Sequence, residues 1–193
     1  MAQSSQTISS QKTFKSAITV SEGATFTATG GVYKITAAST SLANLAVRDL
    51  ITITGTTNNN STFTVKSVDT AGTYIIVEET VTAESSDGST DTVLTYSGFV
   101  TDKYKGDGYY SQADGIHTVA YHVNTTCTGA IKMQGSLATT PTEDDWFDIT
   151  GTTFTTDQST TISSNNFTGN FVWVRAKCTS NTAGSVTKIL YNN

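Results

Sequence analysis

Proline is nearly absent from this chain of 193 residues, with Pro141 as its single instance. Nothing in the composition therefore interrupts strand ladders by removing backbone donors. Charge is scarce too: Asp, Glu, Lys and Arg make up 14% of the residues, against about 25% in a typical soluble domain. There is no run of Lys or Arg, and the net charge is -5. That balance argues against a nucleic-acid surface, which needs a basic stripe to neutralise phosphates. No apolar stretch approaches the roughly 18 residues of a membrane span. The polar opening Met1-Ala2-Gln3-Ser4-Ser5-Gln6 lacks the charged-then-apolar order of a signal peptide, so the chain is expected to be neither membrane-spanning nor exported. Cysteine is limited to Cys127 and Cys178, which cannot build a zinc cluster alone and form no C-x-x-C motif. Two readings of them stay open: free thiols of a reducing cytoplasm, or a bridge between strand ends that closes a loop of about 50 residues and contributes about 4 kcal/mol.

What the chain has in abundance is threonine, about a fifth of all residues, with Ser, Gly and Asn also plentiful. Thr is β-branched and suits a half-exposed pleated surface, while Ser, Asn and Gly make turns. Helices are disfavoured by this mixture. The expectation is an all-β protein of two small domains, an N-terminal β-barrel-like module and a C-terminal jelly-roll-like β-sandwich.

Residues 1–15 are rich in Gln and Ser and poor in apolar side chains, which reads as an arm or an edge segment. Residues 16–97 contain strand-length runs at Ser16–Val20, Val32–Thr36, Leu50–Thr54, Thr62–Val65, Thr73–Val77 and Val93–Tyr96. Asp49–Gly55, the turn Thr56–Asn60 and Ser61–Val65 together read as a β-hairpin. Leu42 and Leu45 could instead form one helical turn. Glu84–Asp91 reads as a polar turn. Residues 98–193 give a second set of strands at His117–Val123, Ala130–Gly135, Trp146–Ile149, Thr160–Ser163, Phe171–Ala176 and Ser185–Tyr191, a spacing that suits a sandwich. The pentapeptide Ile53-Thr54-Gly55-Thr56-Thr57 recurs at Ile149–Thr153 without matching flanks, and in a Thr-rich chain this reads as coincidence.

Catalytic chemistry is hard to assemble from these residues. His117 and His122 are the only histidines; five apart on one strand, they point to opposite faces and cannot share a metal or a proton. No G-x-S-x-G elbow occurs. The acidic groups Glu84/Asp87/Asp91, Asp107/Asp114 and Glu143/Asp144/Asp145 offer oxygen ligands, but none has EF-hand spacing, and solvated turns explain them better. Tyr104, Tyr109, Tyr110, Tyr121, Trp146 and Trp173 could stack on sugars or fill a core. In Phe171–Ala176, alternation puts Phe171, Trp173 and Arg175 on one face and Val172, Val174 and Ala176 on the other. The aliphatic face suits a core. Phe171, Trp173 and Arg175, with Tyr109 and Tyr110, are the candidate interface, because aromatic and Arg side chains are enriched at contacts. The reading is that of a non-enzymatic module without a cofactor or bound metal.

A resemblance sharpens that expectation. The segments Gly106-Asp107-Gly108-Tyr109-Tyr110, Asp114-Gly115-Ile116-His117-Thr118-Val119, Ile131–Ser136, Trp146-Phe147-Asp148-Ile149, Gly169–Ala176, Gly184 and Lys188-Ile189-Leu190-Tyr191 together resemble the C-terminal β-sandwich of virion proteins from tailed phages of the marine and cyanobacterial type. The first half is similar to a small β-barrel module of phage structural proteins in which an acidic pair, here Glu78 and Glu79, ends a later strand. The resemblance implies a structural protein made in the host cytoplasm and incorporated into the virion in many copies. Capsid decoration on the major capsid protein lattice comes first. A tail component, such as a baseplate or fibre-attachment subunit, and a carbohydrate-binding adhesin are the alternatives. Its implied partners are other virion proteins and further copies of itself.

Overall fold

The structure is a computed structural model that describes residues 6–9, 12–13, 23–37, 40–85, 92–111, 115–179 and 183–192. The run expected at Ser16–Val20 lies outside them, as do Asp87, Asp91 and Asp114. The protein is all-β, with antiparallel sheets throughout. The chain divides into two compact units: Met1–Phe14 with Val100–Asn193, and Lys15–Phe99. Strands β1 (Gln6–Ser9) and β2 (Lys12–Thr13) open the chain and belong to the first of these units.

The unit formed by residues 15–99 contains β3 (Ala24–Thr29), β4 (Val32–Ala37), β5 (Asp49–Thr54), β6 (Thr62–Val68), β7 (Tyr74–Val77), β8 (Glu84–Ser85) and most of β9 (Val93–Val100). Their order across the sheet is β9-β5-β6-β7-β4-β3-β8. The β5–β6 hairpin pairs Leu50 with Thr64 and Thr52 with Thr62. Leu42 and Leu45 are both buried, Leu42 within a single 3-10 turn over Thr40–Asn44. The sheet bends far enough for Glu84 on β8 to reach the β5–β6 turn, where its carboxylate accepts from the backbone N–H of Thr57 and Asn58 and from Asn59 Nδ2. Glu79 accepts in the same manner from the N–H and hydroxyl of Thr64, at 2.7 Å each. Phe26, Ile35, Ile51, Ile53, Ile75 and Leu94 fill the interior with essentially no exposure.

The other unit continues through β10 (Tyr104–Lys105), β11 (Ile116–Val123), β12 (Thr128–Ser136), β13 (Phe147–Asp148), β14 (Phe154–Asp157), β15 (Ile162–Thr168), β16 (Trp173–Thr179) and β17 (Ser185–Asn192). One sheet runs β1-β17-β11-β15, with β2 also on β17. In the facing sheet β12 pairs with β16 along one edge and successively with β14 and β13 along the other, and β10 adds to β16. Period-two alternation does the sorting. On β11, His117, Val119, Tyr121 and Val123 are buried while Ile116 is exposed. Tyr121 and Tyr191 in one sheet and Ile131, Met133, Val174 and Ala176 in the other all have essentially no exposure. Burying a side chain of this size removes about 1.5–3 kcal/mol of unfavourable hydration each.

Within the expected arm, the described residues 6–9 and 12–13 are strands that pair with β17: Gln6 pairs with Tyr191, Thr7 with Leu190, and Lys12 with Val186. Several elements differ from the sequence expectation: β3 (Ala24–Thr29) is not among the expected strands, Glu84–Ser85 of the expected polar turn form β8, and β15 runs over Ile162–Thr168 where Thr160–Ser163 was expected. Strand β16 begins at Trp173, so Phe171 stands outside the ladder and escapes its alternation. Strand β14 was hidden by its polar sequence Phe154-Thr155-Thr156-Asp157. Both Ile-Thr-Gly-Thr-Thr segments place their glycine, Gly55 and Gly151, at φ 80, a left-handed conformation that glycine adopts without a Cβ clash.

Candidate functional site

The outer face of the β12–β16 sheet carries the densest polar and aromatic organisation in the sandwich unit. At one end, a 3-10 turn over Asp107–Tyr110 is clamped to the backbone before β16. Gly106 N–H donates to Val172 O at 3.0 Å, and Gly108 N–H donates to Phe171 O at 2.9 Å. A side chain at either glycine would run into the carbonyls of Phe171 or Asn170, so this close approach requires glycine. The turn displays Tyr109 and Tyr110, 44% and 51% exposed. Tyr109 meets Tyr110 edge-on at 5.3 Å and Trp173 at 5.1 Å. Lys105 lies 4.0 Å from the Tyr109 ring centre and Lys103 4.6 Å from that of Trp173. These are cation–π distances. The indole N–H of Trp173 donates to Thr139 O at 3.0 Å.

In the middle of the face Arg175 is buried, and each of its three side-chain nitrogens donates a hydrogen bond. Its guanidinium forks onto Glu143 at 2.8 and 2.7 Å, its Nε–H donates to Gln134 at 2.9 Å, and its plane lies 4.2 Å from the Trp146 ring centre. Further along, Asp148 accepts from Gln134 Nε2 at 2.9 Å and from Lys132 Nζ. Partial burial works to raise the Asp148 carboxyl, but the bonds from Lys132 and Gln134 outweigh it and hold the group below its usual range. Burial, and then the charge of Arg175, lower the Lys177 amine.

The candidate interface is therefore split. Tyr109, Tyr110 and Trp173 come together on the outside. Arg175 lies beneath Glu143 and Trp146, and Phe171 turns inward to pack against His117, Phe147 and Phe167 with ring centres 5.7 to 6.1 Å apart. The expected shared face of Phe171, Trp173 and Arg175 does not form, because Phe171 precedes the first paired residue of β16. Sequence reasoning missed Lys103 and Lys105. Two lysines beside two tyrosines were the available signal, since an ammonium group next to an aromatic ring favours a cation–π contact.

Inside the sandwich, His117 donates from Nε2 to the carbonyl of Gly169 at 2.7 Å, and its Nδ1 lies 2.8 Å from the Tyr191 hydroxyl. Asp107 is fully buried nearby, with Oδ2 at 4.0 Å from Nε2. His122 lies on the opposite side of β11, and burial with the charge of Lys188 lowers its pKa. Cys127 and Cys178 are both buried thiols that no disulfide joins; burial pushes the Cys127 thiol up, away from the reactive thiolate. Among the described residues, no group of three His, Cys, Asp or Glu side chains could hold a metal ion. In the acidic turn expected to be solvated, Glu143 serves Arg175 and Asp145 accepts from the N–H and hydroxyl of Thr142. A groove of about 640 Å³ opens at the sandwich flank beside Ile116, Phe147, Asn166, Thr168 and Phe171. No known protein family, curated protein or solved structure matches this chain.

Proposed function

We propose that the chain is a non-enzymatic structural protein of a tailed-phage virion, acting as a capsid decoration protein on the major capsid protein lattice. The observation that carries the binding part of this reading is a division of labour among side chains. The groups with reactive potential, His117, Asp107, Cys127, Cys178 and Arg175, are spent on internal packing, whereas Tyr109 and Tyr110 are held outward on a rigid turn. Rigid aromatic side chains offer contact area at little entropic cost, which suits a surface that binds another macromolecule. The phage context comes from the resemblance of residues 106–191. Residues 6–9 and 12–13 pair with β17, so the outer aromatic turn is the better candidate for attachment than a free N-terminal arm.

Cryo-EM reconstruction of the virion tests the reading. Density for this fold at regular capsomer positions is expected, with occupancy lost in Tyr109→Ala/Tyr110→Ala; density at one vertex or the tail tip would replace decoration by the tail reading. The flank groove gives the adhesin reading its own observation, since Phe147 supplies a 44% exposed ring beside the amide of Asn166 and the hydroxyl of Thr168. Glycan-array binding abolished by Phe147→Ala would favour that alternative.

A further inference from the structure

The outer face of the β12–β16 sheet is divided in charge. Its β10 end presents the ammonium groups of Lys103 and Lys105 among Tyr109, Tyr110 and Trp173. Its centre is covered by the turn Glu143–Asp145, where the charge of Glu143 is matched by Arg175 while Asp144 and Asp145 remain at the exposed surface. Both halves are on the same side of the sheet. Lys105 pairs across from Trp173, and Trp173 and Arg175 are two residues apart on β16, so alternation points them the same way. Exposed apolar surface accompanies the charges: Leu137, which follows β12 and lies two residues before the Thr139 carbonyl that Trp173 reaches, is 64% exposed.

We infer that this face binds a second copy of this chain about a two-fold axis, setting Lys103 and Lys105 of each copy against the Asp144–Asp145 turn of the other. A two-fold contact must be self-complementary, each residue meeting its counterpart's partner and the reverse. A face with cations at one end and carboxylates beside them meets that condition when rotated onto itself. The same rotation brings Tyr110 and Leu137 into the contact, in keeping with the enrichment of aromatic residues at interfaces. A sugar or a nucleic-acid base fits this end less well, because Lys103 and Lys105 already cover one face of Trp173 and one of Tyr109, and stacking ligands need open ring faces. The contact is a property of the isolated chain and does not depend on the virion reading; it uses the same outer aromatic turn, so a copy paired in this way and a copy attached through that turn exclude one another.

Sedimentation velocity on the purified full chain, with Trp fluorescence as a check on folding, tests the inference through a charge exchange. Lys103→Glu and Asp144→Lys alter exposed side chains. Each variant alone opposes like charges at both symmetry-related contacts, so its self-association should weaken by about tenfold or more. An equimolar mixture restores opposite charges at both contacts and should recover dimer at near wild-type affinity. A wild-type chain that stays monomeric at ~100 µM, two orders above the ~1 µM range where such contacts are readily measured, overturns the inference. So does a dimer indifferent to both substitutions, or a mixture that fails to recover while each variant remains folded.

Discussion

The two sides of strand β16 solve burial in opposite ways. Inward, Val174, Ala176 and Cys178 are fully buried apolar or weakly polar groups that need only volume filled. Outward, Trp173, Arg175 and Lys177 alternate with them, and Arg175 is almost as buried, 3% exposed, although it carries a charge. The inner side is held by contact with a facing sheet; the outer side is held by direction, through the fork onto Glu143, the bond to Gln134 and the ring of Trp146. Volume tolerates approximate replacement, whereas a directed charge does not.

The largest effect expected from breaking that comparison follows from Glu143→Ala. Arg175 then remains buried without its carboxylate, a loss of about 3–5 kcal/mol for a pair of this kind. Pairing Glu143→Ala with Arg175→Met should recover much of it, because the desolvated charge disappears with its partner. Urea unfolding followed by Trp fluorescence reads this cleanly, since Trp146 and Trp173 are the chain's two tryptophans and both lie on this face. A double variant no better than Glu143→Ala would show that the outer side is held by packing of the stems and not by the charge pair.

The inner side should answer more mildly to conservative change. Ile131→Val removes one methylene from a fully buried site and should cost about 0.5–1.5 kcal/mol in the same unfolding experiment. Tyr191→Phe is a sharper probe of the interior, since it removes only the hydroxyl facing His117 Nδ1. Leaving a buried ring nitrogen without its partner should cost about 1–3 kcal/mol. If Tyr191→Phe is neutral while Ile131→Val is not, the interior is governed by volume throughout, and the His117–Tyr191 contact adds nothing to it.

How much of this was legible depended on whether local pattern or distant partners decided the outcome. The β11 sequence His117–Val123 alternates plainly, and its buried side follows from period two. The β5–β6 hairpin follows from Asn58-Asn59-Asn60 between two β-branched runs. Phe171 was misplaced because alternation was extended two residues beyond the ladder, where the clamp of Gly106 and Gly108 sets its direction instead. The burial of Arg175 could not be read locally, since Glu143 and Trp146 come from a connection about 30 residues away. Likewise, β14 carries only one apolar residue, Phe154, and its strand-favouring threonines do not stand out in a Thr-rich chain; its ladder is supplied by the more apolar β12.

The smallest effect concerns a group belonging to neither side. Asp157 ends β14 in an exposed turn, where its carboxylate accepts from the N–H groups of Thr160 and Ser159. These bonds, Thr160 first, draw its pKa down to about 2 from an ordinary 3.8. A carboxyl whose pKa is lower folded than unfolded stabilises the fold when ionised. The contribution is therefore complete above about pH 4 and is lost as pH falls through about 2. In Asp157→Ala the thermal midpoint should sit slightly below wild type at neutral pH, and the gap should close on acidification across that window. Salt should narrow the gap little, because the bonds are local and directed and do not depend on a distant charge. A gap that persists unchanged at pH 2 would mean that Asp157 acts through the turn's backbone preference alone, and that even outside the two packed faces it is geometry, not charge, that holds this sandwich.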